Sequence, residues 1–273
     1  MDEKQKVIRV GIGALIVIAL GVAAYYFFFS DRAKESAAGG VPAAAEKIAA
    51  ETPGLRDGAA VPPLTGPLDS SDAAVRSLAG ELSANPVFAQ WLANKDLLRR
   101  FTAAIDNIAN GQSPRPQMDF FGLRGTFKTV LRDGKTLIDP GSYDRYNVVA
   151  DVFESVSAAG AARLYESARP LLVEAYKELG YPRGDFHQTL FRAIVEVLRT
   201  PIVDAPVELE NGVVSFTLKD PKLEDLDAAQ KHLLRMGPEN LQLIQAKLRE
   251  IALALGFTEA QLPQPRTYRP EVF

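Results

Sequence analysis

The chain has no cysteine. That removes disulfides, thiolate nucleophiles and cysteine-based zinc or iron-sulfur sites together, and it suits a chain entering an oxidising compartment, where free thiols mispair. Histidine is nearly as scarce. His187 and His232 are its two copies, far apart in sequence, so a His-rich metal site or a histidine-only proton shuttle would need the fold to bring them together. No metal and no cofactor is expected. An excess of positive charge is missing as well: 31 Lys and Arg stand against 34 Asp and Glu, for a formal charge of -3. Such a chain has no broad basic field to attract condensed phosphates, and nucleic acid is not an expected partner. Nor does the sequence hold a serine in a nucleophile elbow or an HExxH motif, and no residue is assigned a catalytic role.

What is present is apolar: 47% of 273 residues are hydrophobic, enough to bury a sizeable core. The longest uncharged run, VGIGALIVIALGVAAYYFFF, covers residues 10–29. At about 1.5 Å per helical residue it spans the roughly 30 Å hydrocarbon layer of a bilayer once. Lys4, Lys6 and Arg9 crowd its leading edge, whereas Asp31, Arg32, Lys34 and Glu35 balance one another behind it, so residues 1–9 are expected in the cytoplasm. A cleaved signal peptide is the rival reading. Its apolar region is shorter, about 7 to 15 residues, and ends at a small-x-small site, whereas this run ends in bulky aromatics. The expected location is therefore a bacterial inner membrane, crossed once, with the C-terminal domain in the periplasm.

Residues 30–63 are rich in Ala, Gly and Pro, lack apolar periodicity and read as a flexible tether. A coil of about 30 residues sets a root-mean-square reach near roughly 30 Å. Residues 64–258 read as one mainly α domain, bundle-like, with one or two small β-hairpins, followed by a loose Pro-rich extension over residues 259–273. Helices are expected from Ser71; from Asn85 and Pro86 through Trp91; from Asn94 or Asp96 to a stop at Gly111; over 142–156; over 158–179, bent or restarted at Pro170; over 185–198; over 226–236; and over 239–255. Strands 126–131 and 135–138 flank Arg132-Asp133-Gly134. Strands 207–210 and 213–218 flank Asn211-Gly212, a dipeptide that favours a two-residue primed turn.

Three stretches carry a family likeness: NPVFAQWLANKDLLRRFTAAIDNIANG, RPLLVEAYKELGYP and LLRMGPENLQLIQAKLREI. With the N-terminal span and tether, the chain resembles the bacterial family called domain of unknown function 3014, over roughly Leu64 to Leu255. The resemblance implies a membrane-tethered helical envelope domain and supplies no catalytic residues. Its most specific piece is the corner from Arg235 to Asn240.

At that corner Gly237 can end one helix, Pro238 opens the next and Glu239 complements its dipole, all of which folding explains. The functional alternative sets His232, Arg235, Glu239 and Asn240 beside a helix N-terminus that would welcome a carboxylate or phosphate. Phe120 and Phe121, in a loop from Ser113 to Arg124, are either tucked under the domain or offered to a partner. Asp185 reads as a helix cap, although an acid-base pairing of His187 with Glu196 or Asp151 is conceivable. Glu166, Glu174 and Glu178 read as a solvated helix face. Trp91 and Phe101 read as core, with Arg99 and Arg100 in solvent, against a stacking surface for peptide or glycan. The expected function is a non-enzymatic binding or scaffolding module. It is held in the bilayer by residues 10–29 and binds an envelope protein or wall polymer; the alternative is a wall hydrolase using Glu and Asp as acid and base.

Overall fold

A computed structural model of the chain describes residues 61–117, 121, 125–212 and 216–270. The apolar run 10–29, residues 30–60 of the expected tether, and Phe120 lie outside the described residues. Among the described residues no helix is long and apolar enough to cross a membrane.

The chain is mainly helical with small strand pairs. Its helices are α1 (Asp72–Gly80), α2 (Pro86–Leu92), α3 (Leu97–Ala109), α4 (Asn147–Ser155), α5 (Ala158–Glu178), α6 (Phe186–Arg199), α7 (Pro221–Glu224), α8 (Ala228–Leu234) and α9 (Pro238–Ala254). The strands are β1 (Thr129–Arg132), β2 (Lys135–Ile138), β3 (Ile202–Val203), β4 (Leu209–Asn211), β5 (Phe216–Leu218) and β6 (Thr267–Tyr268). α3, α5, α6 and α9 pack on one another as a bundle. Their apolar stripes meet around Tyr165, Leu172, Phe186, Leu190, Ile194 and Ala252. Phe186 and Leu172 are buried completely, each contributing about 2 kcal/mol through surface removed from water. α4 covers α9, and α8 lies against α6.

Several helix ends follow from adjacent residues. Asn85 accepts the Val87 N–H at 2.9 Å and Pro86 fills the first turn of α2. Asp185 accepts the N–H groups of His187 and Gln188 at the start of α6. α3 is different. Asp96, which precedes it, has left-handed backbone (φ 56°) and makes no side-chain capping bond. Asp72 of α1 does that work from a distance, its carboxylate accepting Asp96 N–H at 2.8 Å and Leu97 N–H at 2.9 Å. α5 runs through Pro170 as one helix and does not restart; the proline sits on the exposed face of the helix, away from the packed seam.

The first hairpin pairs Arg132 with Lys135 and leaves Asp133 (φ 52°) and Gly134 (φ 73°) as a two-residue primed turn. Its first strand begins at Thr129, three residues later than the sequence pattern suggests. The second hairpin corrects the two-residue turn expected at Asn211-Gly212. Asn211 belongs to β4 and pairs with Phe216, so the connection is longer. The register sets Leu209 opposite Leu218 over Val203, Val207 and Leu223, and that apolar packing outweighs the local turn preference. A bridge between Leu137 and Glu208, and the Ile138 N–H donated to Val207 O at 3.0 Å, join the two hairpins.

The C-terminal segment is not a loose strap. β6 pairs in parallel with β3, Leu262 and Phe257 are buried, and the Tyr268 hydroxyl donates to Asp220 Oδ2 at 2.7 Å. Three apolar anchors in a Pro-rich sequence suffice to dock it.

Candidate functional site

The corner between α8 and α9 is fixed from beneath. Asp227 caps α8, its Oδ1 accepting Gln230 N–H at 2.8 Å. α8 ends at Leu234, and Gly237 then turns the chain with φ +85°. A Cβ on Gly237 would stand 2.5 Å from the ring of Tyr143, so glycine is demanded by conformation and by space together. Pro238 opens α9. Asn240 turns inward: its amide donates towards Met236 O (2.9 Å), Asn147 Oδ1 (3.0 Å) and Tyr143 O (3.1 Å). Asn240 is buried and committed to holding the corner, whereas Arg235 and Glu239 are exposed.

His232 stands on the side of α8 that meets the chain after α3. Its Nδ1 lies 3.3 Å from Ser113 Oγ, which also accepts the Arg115 N–H at 3.4 Å. The ring packs edge-on against Tyr146, with centroids 6.3 Å apart. Burial first, and then the charges of Arg235 and Arg115, push its pKa down to about 4. At neutral pH the imidazole is uncharged, and two guanidinium groups that are remote in sequence bear on one ring. Among the described residues neither arginine has an ion-pair partner. Glu224, on which Arg235 also acts, is held by Lys231 Nζ at 3.1 Å and by the Leu218 N–H at 2.9 Å.

On the neighbouring side of α8, a cleft of about 20 Å³ opens over Ile138, Tyr143, Val207 and Leu218, with Lys231 and Arg235 at its rim. It has room for about one water molecule or one methyl group. The same arginine thus borders the cleft and the histidine.

A second cluster lies where α6 meets the start of α8. The Glu196 carboxyl lies close enough to Asp227, the N-cap of α8, for the two side chains to interact. Burial, then that interaction and the Asp227 charge, raise Glu196 to about 7, while Arg199 opposes the shift. Gly111, at the end of α3, makes room: a Cβ there would come within 2.8 Å of Asp227 Oδ2.

The structure thus brings His232 and Arg235 together, with Glu239 on the same corner. Phe121 packs on Trp91 with centroids 4.2 Å apart and the rings tilted by 31°, and it joins the core around Tyr146 and Val149. Trp91 is buried as expected, but Phe101 is not. It is 40% exposed and touches Phe186 by its edge, because α3 presents that position beside the bundle seam. Arg99 is drawn to Asp69 and Glu178, both at 2.6 Å, and Glu166 lies 3.5 Å from Arg169, so neither Glu166 nor Glu178 is a free acid.

His187 does not meet Glu196, which lies about 13 Å further along α6 by helical rise. It is buried instead against Phe257, with Nδ1 at 2.9 Å from the Tyr165 hydroxyl and Nε2 without a hydrogen-bond partner among the described residues. Burial lowers its pKa and keeps it neutral. Sequence reading missed Ser113 and Arg115 as neighbours of His232, and the pairing of Glu196 with Asp227. The one local signal was Asp227 as a helix cap; partners that far apart leave no spacing pattern.

A model of the family described as "Protein of unknown function (DUF3014)" matches residues 97–252, more than half of the chain. The chain belongs to this family. The matched stretch begins with α3 and ends within α9, so the family unit includes both hairpins, Ser113, Arg115, the carboxyl pair and the whole α8–α9 corner. It is narrower than the likeness read from the sequence and excludes β6. No curated protein and no solved structure matches the chain.

Proposed function

We propose that this member of the family is a non-enzymatic binding module of the bacterial envelope. Residues 10–29 hold it in the inner membrane, residues 30–63 let it reach, and the α8–α9 corner engages an envelope protein or wall polymer in the periplasm. The observation that carries the reading is the division of labour at the corner. Gly237, Pro238 and Asn240 are consumed in holding its shape, while Arg235 emerges from that rigid frame without an ion pair among the described residues, beside an apolar cleft. A cation on a rigid support loses little freedom when it binds, which favours recognition. The apolar N-terminal run and the tether supply anchorage and effective concentration.

The test is capture by the full-length tagged chain in crosslinked cells, compared with its Arg235→Ala variant. The variant should lose the captured component while keeping its fold. Equal capture by both proteins rejects the corner as the binding surface.

One observation favours a hydrolase instead, namely a carboxyl near Glu196 that keeps its proton close to neutral pH, as a general acid must. The cleft over Ile138 and Leu218, however, is lined by neither Glu196 nor Asp227, so no substrate groove leads to this carboxyl and the binding reading is preferred. Release of soluble fragments from purified wall glycan, abolished by Glu196→Gln, would reverse that preference.

A further inference from the structure

We propose that the groove between β3 and the start of α7 is a peptide-binding site, held in this structure by the chain's own C-terminal tail, and that it takes an extended, tyrosine-bearing segment of a protein partner when the tail leaves. The site goes beyond the corner reading, since it uses neither Arg235 nor Glu239. The tail displays the chemistry of its ligand. β6 adds to β3 in parallel, with Thr267 beside Ile202 and Tyr268 beside Val203, and the Ile202 N–H donates to Arg266 O at 2.9 Å. That is strand addition, in which main-chain bonds hold an extended peptide and pockets for single side chains select it. The selecting side chain is Tyr268. Its ring packs on the cluster of Val203, Val207, Leu209 and Leu223, Lys222 Nζ stands 6.0 Å from the ring centroid, and its hydroxyl donates to Asp220 Oδ2 at 2.7 Å.

The receptor side is built by elements that precede the tail. Asp220 is the N-cap of α7, and its Oδ1 accepts the Lys222 N–H at 2.8 Å, so Oδ2 is held in place for a phenol. A carboxylate fixed in this way loses little freedom on binding and makes a charge-assisted bond that a phenylalanine ring cannot make. The tail itself is lightly held. Leu262 is buried, but residues 264–267 are exposed and the strand pairing covers two residues. Pro263, Pro265 and Pro270 have no N–H to add to the ladder. A segment with so few contacts opens locally at a small fraction of the global stability. A partner strand without these prolines gains main-chain bonds that the tail lacks, and so displaces it. Asp204 follows Val203 on the parallel neighbour, which favours a cation directly after the ligand's tyrosine, where the tail has Arg269. Val203 and Val207 belong both to this groove and to the cleft beside α8, so the two surfaces are continuous.

The full-length chain in phosphatidylcholine nanodiscs is titrated with a fluorescein-labelled peptide of residues 263–270, read by anisotropy. In the native chain the tethered tail competes at high effective concentration, whereas Tyr268→Ala empties the groove. The variant should bind the peptide about tenfold more tightly than the native chain does. On that variant the Tyr268→Phe peptide should bind about tenfold more weakly than the tyrosine peptide. This discrimination should vanish when Asp220→Ser is added, because serine still caps α7 but is too short to reach the hydroxyl. The emission of Trp91, packed beside Phe121, reports that the core is intact in each variant.

Equal binding by the native and Tyr268→Ala chains, no saturable binding by the variant, or tyrosine selectivity that survives Asp220→Ser overturns the site. A native chain that forms Tyr268-dependent dimers, with no peptide binding by the variant, assigns the groove to the tail of a second copy and overturns it as well. Arg235-dependent capture in cells is read separately, so failure of this site leaves the corner reading standing, and failure of the corner leaves this one.

Discussion

Replacing Glu196 by Gln should stabilise the protein at high pH and leave it nearly unchanged at low pH. In the folded chain Glu196 releases its proton near pH 7, against an ordinary value of 4.5, because burial and the Asp227 carboxylate both oppose its charge. Between those values the folded protein holds a proton that the unfolded chain has lost. The contribution of this group is thus fully present below pH 4.5 and disappears as pH rises through 7. At roughly 1.4 kcal/mol per unit, and reduced by solvent screening of a half-buried group, the displacement corresponds to about 1 to 2 kcal/mol. Gln has nearly the shape of protonated Glu, and its amide can donate to a neighbouring carboxylate at every pH, so the variant keeps the shape without the charge. Urea unfolding can be followed through Trp91, the sole tryptophan, which is buried in the core beside Phe121. The curves of native and variant chains should nearly coincide below pH 4.5 and separate by about 1 to 2 kcal/mol above pH 7, with the variant the more stable. A difference that does not change with pH would refute the raised Glu196 pKa.

His232→Gln should produce the opposite profile. The His232 pKa is depressed to about 4 from 6.5, so the unfolded chain takes up its proton first as pH falls through that window. The native protein should lose about 3 kcal/mol relative to the variant, as read from the same unfolding curves. Gly237→Ala forces a Cβ into the Tyr143 ring at a positive φ and should cost about 2 kcal/mol or more, seen as a lowered urea midpoint. Asn240→Ala leaves buried acceptors of Met236 and Tyr143 without their donor and should cost about 2 kcal/mol in the same assay.

The elements written by neighbouring residues were legible in the sequence. Asn85, Asp185 and the Asp133-Gly134 turn act on backbone groups within a few positions, and each forms where the pattern places it. Features written by distant residues were not. The cap of α3 comes from Asp72, and the register of the second hairpin is set by Leu209 and Leu218 packing on Leu223 rather than by its own Asn-Gly pair. The docking of the C-terminal segment depends on β3 and Asp220, which no local pattern announces. At the candidate site, the sequence placed Arg235 and His232 on one corner because a single turn separates them. It could not supply Ser113 and Arg115, whose approach depends on how α3 and α8 pack, nor foresee that Asn240 turns inward.

The most direct test of the binding account places a photo-crosslinking residue at Glu239, exposed on the corner beside Arg235, and a second at Arg183, exposed on the loop before α6. After irradiation of intact cells, the account predicts that the Glu239 position captures a specific envelope component, that the Arg183 position does not, and that Arg235→Ala abolishes the capture. Equal labelling from both positions, or capture at Glu239 that survives Arg235→Ala, would contradict it.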